Sequence, residues 1–174
     1  MLYQDNTAKL VGLKDVIVKQ VDEEKNRHSI TIELPRKVHE CPQCGCQTRA
    51  IHDYRMLNIR DLNAFGKQTI LRLRKRRYRC PDCGKRFYGE IPFLPKYYKV
   101  TNRLAANLIN MFRESRTATQ IARENGVSVT SALRQFSIVK FTFKCLPEVL
   151  SMDEFRGYAG GERFQTILTD PAEP

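Results

Sequence analysis

The sequence predicts an α+β chain in which a β-rich part comes first, helices second and an extended hairpin last. Three observations predict it. Two near-identical turns, Cys41-Pro42-Gln43-Cys44-Gly45 and Cys80-Pro81-Asp82-Cys83-Gly84, bracket a stretch of alternating and strongly basic residues. Leu104, Leu108, Met111 and Phe112 then recur at helical spacing. After Pro147 the alternation typical of strands returns on both sides of Gly157, Gly160 and Gly161. The expected units are a β-hairpin over residues 1–37, a metal-clamped ribbon over 38–95, helices over 96–146 and an incomplete β segment over 147–174.

In the first unit, Val16-Ile17-Val18 runs to Val21, and Ser29-Ile30-Thr31-Ile32-Glu33-Leu34 alternates apolar and polar residues. The polar run from Asp22 to Arg27 between them reads as a turn, so the pair is a hairpin that completes a sheet. Pro35 closes it.

The paired cysteines carry the clearest chemistry. Thiolates two residues apart across a tight turn face the same way, and the following Gly takes a positive φ that aims backbone amides at the sulfurs. Cys41, Cys44, Cys80 and Cys83 together supply four thiolates, a closed tetrahedral shell with no open position, which makes the metal structural rather than catalytic. Such knuckles also resemble those of rubredoxin, which hold iron. The basic character of the intervening stretch favours zinc. Of six cysteines, Cys46 is a competing ligand at most, and Cys145 reads as core. His39 and His52 read as ordinary polar histidines. Cysteines in ligand spacing fit a reducing cytoplasm better than a disulfide framework.

Thirty Lys and Arg against nineteen Asp and Glu give a net charge of +11, which points to a polyanion, most simply nucleic acid. The excess concentrates in Lys67–Arg79, which has no acidic residue. As a strand, this run puts Thr69, Leu71 and Leu73 on one face and Ile70, Arg72, Arg74, Arg76 and Tyr78 on the other. Arg72, Arg74, Lys75, Arg76, Arg77 and Arg79 are therefore candidate phosphate contacts that would make binding salt-dependent. No run approaches the roughly 20 apolar residues of a membrane span, and no signal peptide is evident, so a cytoplasmic, nucleoid-associated protein with no membrane partner is expected. Residues 85–95 mix aromatics with Pro92 and Pro95 and read as a partly packed linker.

Thr101 is placed to cap a first helix through Phe112, and a second runs from about Thr117 to Asn125. Gly126 supplies a turn, Val127 an apolar plug and Ser128 the cap of a third helix through Val139. This is helix-turn-helix wording. In that motif the last helix enters the major groove of double-stranded DNA, which makes Thr130, Ser131, Arg134 and Gln135 candidate base readers. Arg113, Arg116 and Arg123 would face phosphates. In the final segment, Glu148 to Phe155 and Arg163 to Asp170 read as two strands.

Taken in order, the Cys-Pro-x-Cys-Gly ribbon with Arg77-Tyr78-Arg79-Cys80 and Lys85-Arg86-Phe87, the helix-turn-helix wording, and Ser151-Met152-Asp153-Glu154-Phe155 resemble the N-terminal part of ISL-three family insertion-sequence transposases. The resemblance covers about Val11 to Asp170. It implies an RNase-H-like DDE domain in which three carboxylates hold two Mg²⁺ ions for phosphodiester chemistry, with Asp153 matching the first catalytic Asp. Glu154 is not the third carboxylate, and Asp170 is structural. The second Asp and the final Glu are not found by residue 174. The implied protein is thus a truncated transposase that binds terminal repeats, as a homodimer or with a full-length transposase. Strand cleavage is not expected from this chain alone. An active enzyme would need carboxylates from another chain. A zinc-ribbon RNA-binding or ribosome-associated protein is the reading from another class.

Overall fold

The computed structural model describes residues 12–114, 116–139, 148–157, 163–169 and 171. The chain divides into two compact units, Met1–Val139 and Lys140–Pro174. In the first, strands β1 (Ile17–Glu23), β2 (Arg27–Glu33), β3 (His39–Glu40), β4 (Gln47–Thr48), β5 (Ile51–Ala64), β6 (Lys67–Arg79) and β7 (Arg86–Tyr88) precede helices α1 (Asn102–Arg113), α2 (Ala118–Asn125) and α3 (Val129–Phe136). The main sheet has the order β1-β2-β6-β5, with β7 added beside the far end of β6.

The N-terminal hairpin forms as expected, with Val21 opposite Ile30. It does not stand apart from the ribbon. β2 pairs in parallel with β6, placing Ile30 beside Leu71 and Ile32 beside Leu73. The hairpin therefore completes the sheet that carries the basic strand. β6 has the predicted bounds, and its alternation buries Thr69, Leu71 and Leu73. These side chains join Val16, Val18, Ile30, Ile32, Ile59 and Leu94 in one apolar cluster, with Ile91 and Phe93 of the proline-rich segment packed at its margin. Burial of this set is the main stabilising term for the sheet.

The alternation changes near the end of β6. A register shift between Ile51 and Asp53 on β5 rotates the local sheet, as bulges do. Tyr78, expected on the solvent-facing side with the arginines, is instead buried at 3% exposure. Its ring lies 4.3 Å from that of His39 and 6.1 Å from that of Phe87.

The helices begin where the sheet ends. Val100 bridges Arg60 of β5, and the Thr101 amide donates to the Arg60 carbonyl at 3.0 Å. Thr101, Thr117 and Ser128 cap the three helices with their hydroxyls, each satisfying an amide that helix geometry leaves unpaired. Gly126 ends α2 at φ 61°, a left-handed cap that suits glycine. Leu104, Leu108, Ile121 and Ala132 form the helical core, and Met111, Phe112 and Val127 pack against it. α3 stops at Phe136, with Ser137 as its C-cap, rather than continuing to Val139. The Ser137 hydroxyl donates to the Arg134 carbonyl at 2.9 Å, a local bond that competes with further helix.

The second unit contains the antiparallel strands β8 (Ser151–Arg156) and β9 (Phe164–Thr169). Met152 and Leu168 face each other on one side, while Asp153 opposes Ile167 on the other. Cys145, Gly160, Gly161 and Asp170 lie outside the described residues.

Candidate metal centre and nucleic-acid interface

The two cysteine turns are built alike, position for position. The Cys41 amide donates to the Cys46 carbonyl at 2.9 Å, and the Gly45 amide returns to the Cys41 carbonyl at 2.9 Å. In the second turn the Cys80 amide donates to Lys85 at 2.9 Å and the Gly84 amide to Cys80 at 3.2 Å. Gly45 and Gly84 have φ of 73° and 71°. β3 and β4 flank the first turn, and β6 and β7 flank the second. Cys41 and Cys80 are buried, whereas Cys44 and Cys83 are exposed.

The four sulfurs all lie within 4.8 Å of one another. Cys41 Sγ is 3.6 Å from Cys83 Sγ, and Cys44 Sγ is 3.5 Å from Cys80 Sγ. A tetrahedral zinc thiolate shell at Zn–S ≈ 2.3 Å requires sulfur separations of about 3.8 Å, so the four residues fit the metal. Their electrostatics agree. Cys80 is pulled down to about 6 by the backbone amide of Cys83, against the cost of burial and with help from the Asp82 amide. At Cys44 the amide of Cys46 acts in the lowering direction, but the thiols of Cys80 and Cys83 outweigh it and push the group up to about 12. Four crowded sulfurs do not all ionise on their own, and a divalent cation removes that conflict. Zinc would be held here as a closed structural clamp. This set is the one gathered group of three or more metal-ligating side chains among the described residues. Cys46 is outside it, its thiol directed to the Gln47 carbonyl at 3.6 Å, and neither His39 nor His52 belongs to it.

The basic strand is less bare than its sequence. Glu33 on β2 is buried and takes Arg74 Nη1 at 2.9 Å and Arg76 Nη2 at 2.6 Å. Asp53 on β5 takes Arg77 Nη2 at 2.8 Å. The Arg74 guanidinium also lies 3.8 Å over the Tyr54 ring, and Lys75 Nζ lies 4.2 Å over that of Tyr88. The missing carboxylates thus come from neighbouring strands, which the local sequence does not reveal. Arg72 and Arg79 remain exposed without an ion pair among the described residues.

On α3 the exposed positions include Val129, Thr130, Leu133 and Arg134, and Ser131 is half-buried. The Ser131 amide is capped by Ser128 Oγ at 3.1 Å. Gln135, expected to reach a base edge, is 3% exposed and packs inward, so it is not available as a reader. Arg116 pairs with Glu124 at 2.8 Å and Glu114 at 3.1 Å, while Arg113 and Arg123 are exposed. Asp153 is exposed on β8.

One structural junction escaped the sequence reading. Asp61, 1% exposed, receives Thr101 Oγ1 at 2.7 Å and Arg103 Nε at 2.7 Å. It fastens α1 to the end of β5. Its only sequence signal was a carboxylate sharing the strand alternation of Leu57 and Ile59.

No helix among the described residues is long and apolar enough to cross a membrane. Residues 37–83 match the model of the zinc-finger of transposase IS204/IS1001/IS1096/IS1165. The chain is 31% identical over 148 residues to the transposase for insertion sequence element IS1001 of Bordetella parapertussis. That alignment takes in 82% of this chain and 36% of the relative, so the chain spans about a third of the length of the curated protein it matches. No solved structure matches. The cysteine ribbon and the likeness along most of the sequence agree, and together they support a relationship to the ISL-three family of insertion-sequence transposases.

Proposed function

We propose that this chain is a transposase region that recognises the ends of an insertion element by binding their terminal repeats as double-stranded DNA. The observation that carries this reading is α3. It follows the left-handed Gly126 and the Ser128 cap, is packed by Ala132 into the helical core, and leaves Thr130 and Arg134 facing solvent. In a helix-turn-helix over residues 96–146 these side chains would meet base edges, joined by Ser131 at the groove wall. Arg134 is suited to guanine. Arg72 and Arg79, on the zinc-clamped ribbon of residues 38–95, would neutralise phosphates, together with whatever share Arg74, Lys75, Arg76 and Arg77 release from their present partners.

In residues 147–174, Asp153 is proposed as the first carboxylate of an RNase-H-like DDE site. Mg²⁺ bound at such a site supplies activation of a nucleophile and stabilisation of a leaving oxygen. Among the described residues Asp153 belongs to no group of three or more metal-ligating side chains, so no catalytic step is assigned to it. Cleavage and strand transfer belong to the proposal for the family protein as a whole.

The test is footprinting and anisotropy titration on the two ends of the neighbouring insertion element at physiological salt, with structured RNA as the competitor. Protection of the terminal repeats, displaced by specific duplex but not by RNA, is the expected result. Equal or stronger binding of RNA would place the chain in the RNA-binding class.

A further inference from the structure

The turn joining β5 to β6 is an unusual place for its central residue. Phe65 and Gly66 both have positive φ, 52° and 72°, the backbone of a two-residue turn normally made with Asn-Gly or Asp-Gly. A bulky aromatic in this region is an outlier. Phe65 is nonetheless 83% exposed, so packing does not explain its presence. Strained positions of this kind concentrate where a ligand is met. The β5 register also shifts between Asp61 and Ala64, a bulge just behind the turn.

Behind Phe65 is a cavity of about 580 Å³ whose walls include Val21, Ile30, Leu62, His28 and Thr69. Two of these side chains hold buried polar atoms without a hydrogen-bond partner, His28 Nε2 and Thr69 Oγ1. Thr69 is 3% exposed. His28 and Thr69 are register partners across the β2–β6 pairing, and the His28 ring meets Phe65 edge-on at 6.3 Å. Unsatisfied buried groups are costly and call for an explanation.

The chemistry of the walls narrows the ligand. A simple anion is disfavoured, because the cations lining the cavity are engaged: Lys67 with Glu23, and Arg103 with Asp61. A purely apolar group would leave Thr69 Oγ1 and His28 Nε2 unpaired. A planar heteroaromatic ring satisfies both needs, with its face on Phe65 and its polar edge toward Thr69 and His28, whose covered polar atoms reach it by a side-chain rotation. Position narrows it further. Asn63 Nδ2 donates to the Glu124 carbonyl at 2.9 Å, and Gly126 lies so close to the Gln68 side chain that an added Cβ would collide with its Oε1. The hairpin tip is thereby held against the turn that leads into α3.

We propose that the β5–β6 tip and the cavity behind it bind an unstacked nucleobase, with Phe65 as the stacking platform and Thr69 and His28 as its hydrogen-bond partners. The proposal rests on the DNA-binding reading above and adds to it a second contact, outside the α3 face. Enzymes and binding proteins that hold extrahelical bases use this combination of stacking and edge hydrogen bonding.

The test uses the full chain and two duplexes of the same sequence, one fully paired and one carrying a single bulged 2-aminopurine. The expected result is about tenfold tighter binding of the bulged duplex, the size of one base–aromatic stacking contact, with a change in 2-aminopurine emission. Phe65→Ala and Thr69→Val abolish the preference but keep affinity for the paired duplex, and Phe65→Tyr retains it. Circular dichroism and melting temperature confirm that each variant folds. A free nucleoside monophosphate that competes away the preference assigns the cavity to a mononucleotide. Absence of competition assigns it to a base within a strand, and the nucleobase assignment holds in both cases. Equal binding of the two duplexes overturns this inference and leaves DNA binding intact. A preference that survives Phe65→Ala overturns it as well. Failure to bind either duplex defeats the DNA-binding reading itself, and this inference with it.

Discussion

The carboxylate of Asp61 accepts a 2.7 Å hydrogen bond from the hydroxyl of Thr101, which ties the end of β5 to the first turn of α1. Arg103 grips the same carboxylate from the next helical residues. Thr101 is fully buried and its hydroxyl also caps the Leu104 amide at 3.3 Å. One side chain therefore satisfies a helix terminus and a buried charge. Thr101→Ala removes a cap worth about 1 kcal/mol and a charge-assisted bond worth about 1.5–3 kcal/mol. Solvent reaching the partly exposed Arg103 softens the loss, and a destabilisation of about 2–3 kcal/mol is expected. Thr101→Ser keeps the hydroxyl and should cost less than about 1 kcal/mol. Urea unfolding of both variants checks the difference. Equal losses would show that the methyl group, not the hydroxyl, holds the junction.

Gly126 is constrained by backbone and neighbour together. Its φ of 61° belongs to the left-handed region, where a Cβ costs about 1–2 kcal/mol. The close approach to Gln68 involves the far end of a flexible side chain, which can swing away, so the backbone sets the magnitude. Gly126→Ala should lower stability by about 1–2 kcal/mol, and Gly126→Asn by less, because Asn tolerates this conformation. If the Gly126→Ala loss is instead dominated by Gln68, the double variant with Gln68→Ala recovers most of it in a thermal melt.

The distribution of what could be read in the sequence follows the range of the interactions involved. The four ligands were legible because each knuckle is a local turn, repeated nearly residue for residue, and the caps at Thr101 and Ser128 were legible because capping acts over three residues. β6 was legible from its own alternation. Pairings between distant segments were not. Nothing near Arg76 announces Glu33, and nothing in β2 announces a parallel partner in β6. Gln135 looked like a base reader by residue type, yet the helical phase that buries Ala132 also turns Gln135 inward. The Phe65-Gly66 turn is a local feature, but the cavity behind it depends on β2 lying alongside, which supplies His28 and Ile30 to its walls.

The ribbon should contain one zinc per chain and be colourless. Structural zinc in small ribbons contributes about 10–16 kcal/mol of apparent folding energy near pH 7. Cys80→Ser removes a buried ligand and should abolish stoichiometric zinc, with loss of cooperative unfolding of the β-rich unit. Cys46→Ser should retain the metal, because its sulfur points to the Gln47 carbonyl. Chelation by a strong ligand should reproduce the Cys80→Ser phenotype. Elemental analysis reads each outcome directly, and a red, iron-containing protein would replace zinc in this account.

Arg72 and Arg76 occupy the same strand and, four residues apart, should separate binding from stability. Arg76 is mostly buried and faces Glu33, which is itself 8% exposed in its side chain. It also donates to the Leu34 carbonyl. Arg76→Ala leaves that carboxylate with only the half-exposed Arg74 for company. Removing one partner of a fully buried pair costs about 3–5 kcal/mol. With Arg74 remaining, about 2 kcal/mol is expected for this variant. Arg72 is exposed and makes no ion pair among the described residues, so Arg72→Ala should leave the melting temperature within a degree or so. If Arg72 faces a phosphate, its loss should weaken duplex binding across sequences and flatten the slope of log K against log salt by about 0.9. Titrations at several salt concentrations, paired with melts, give both quantities. An unchanged slope in Arg72→Ala would remove this strand face from the DNA interface and leave α3 as its principal surface.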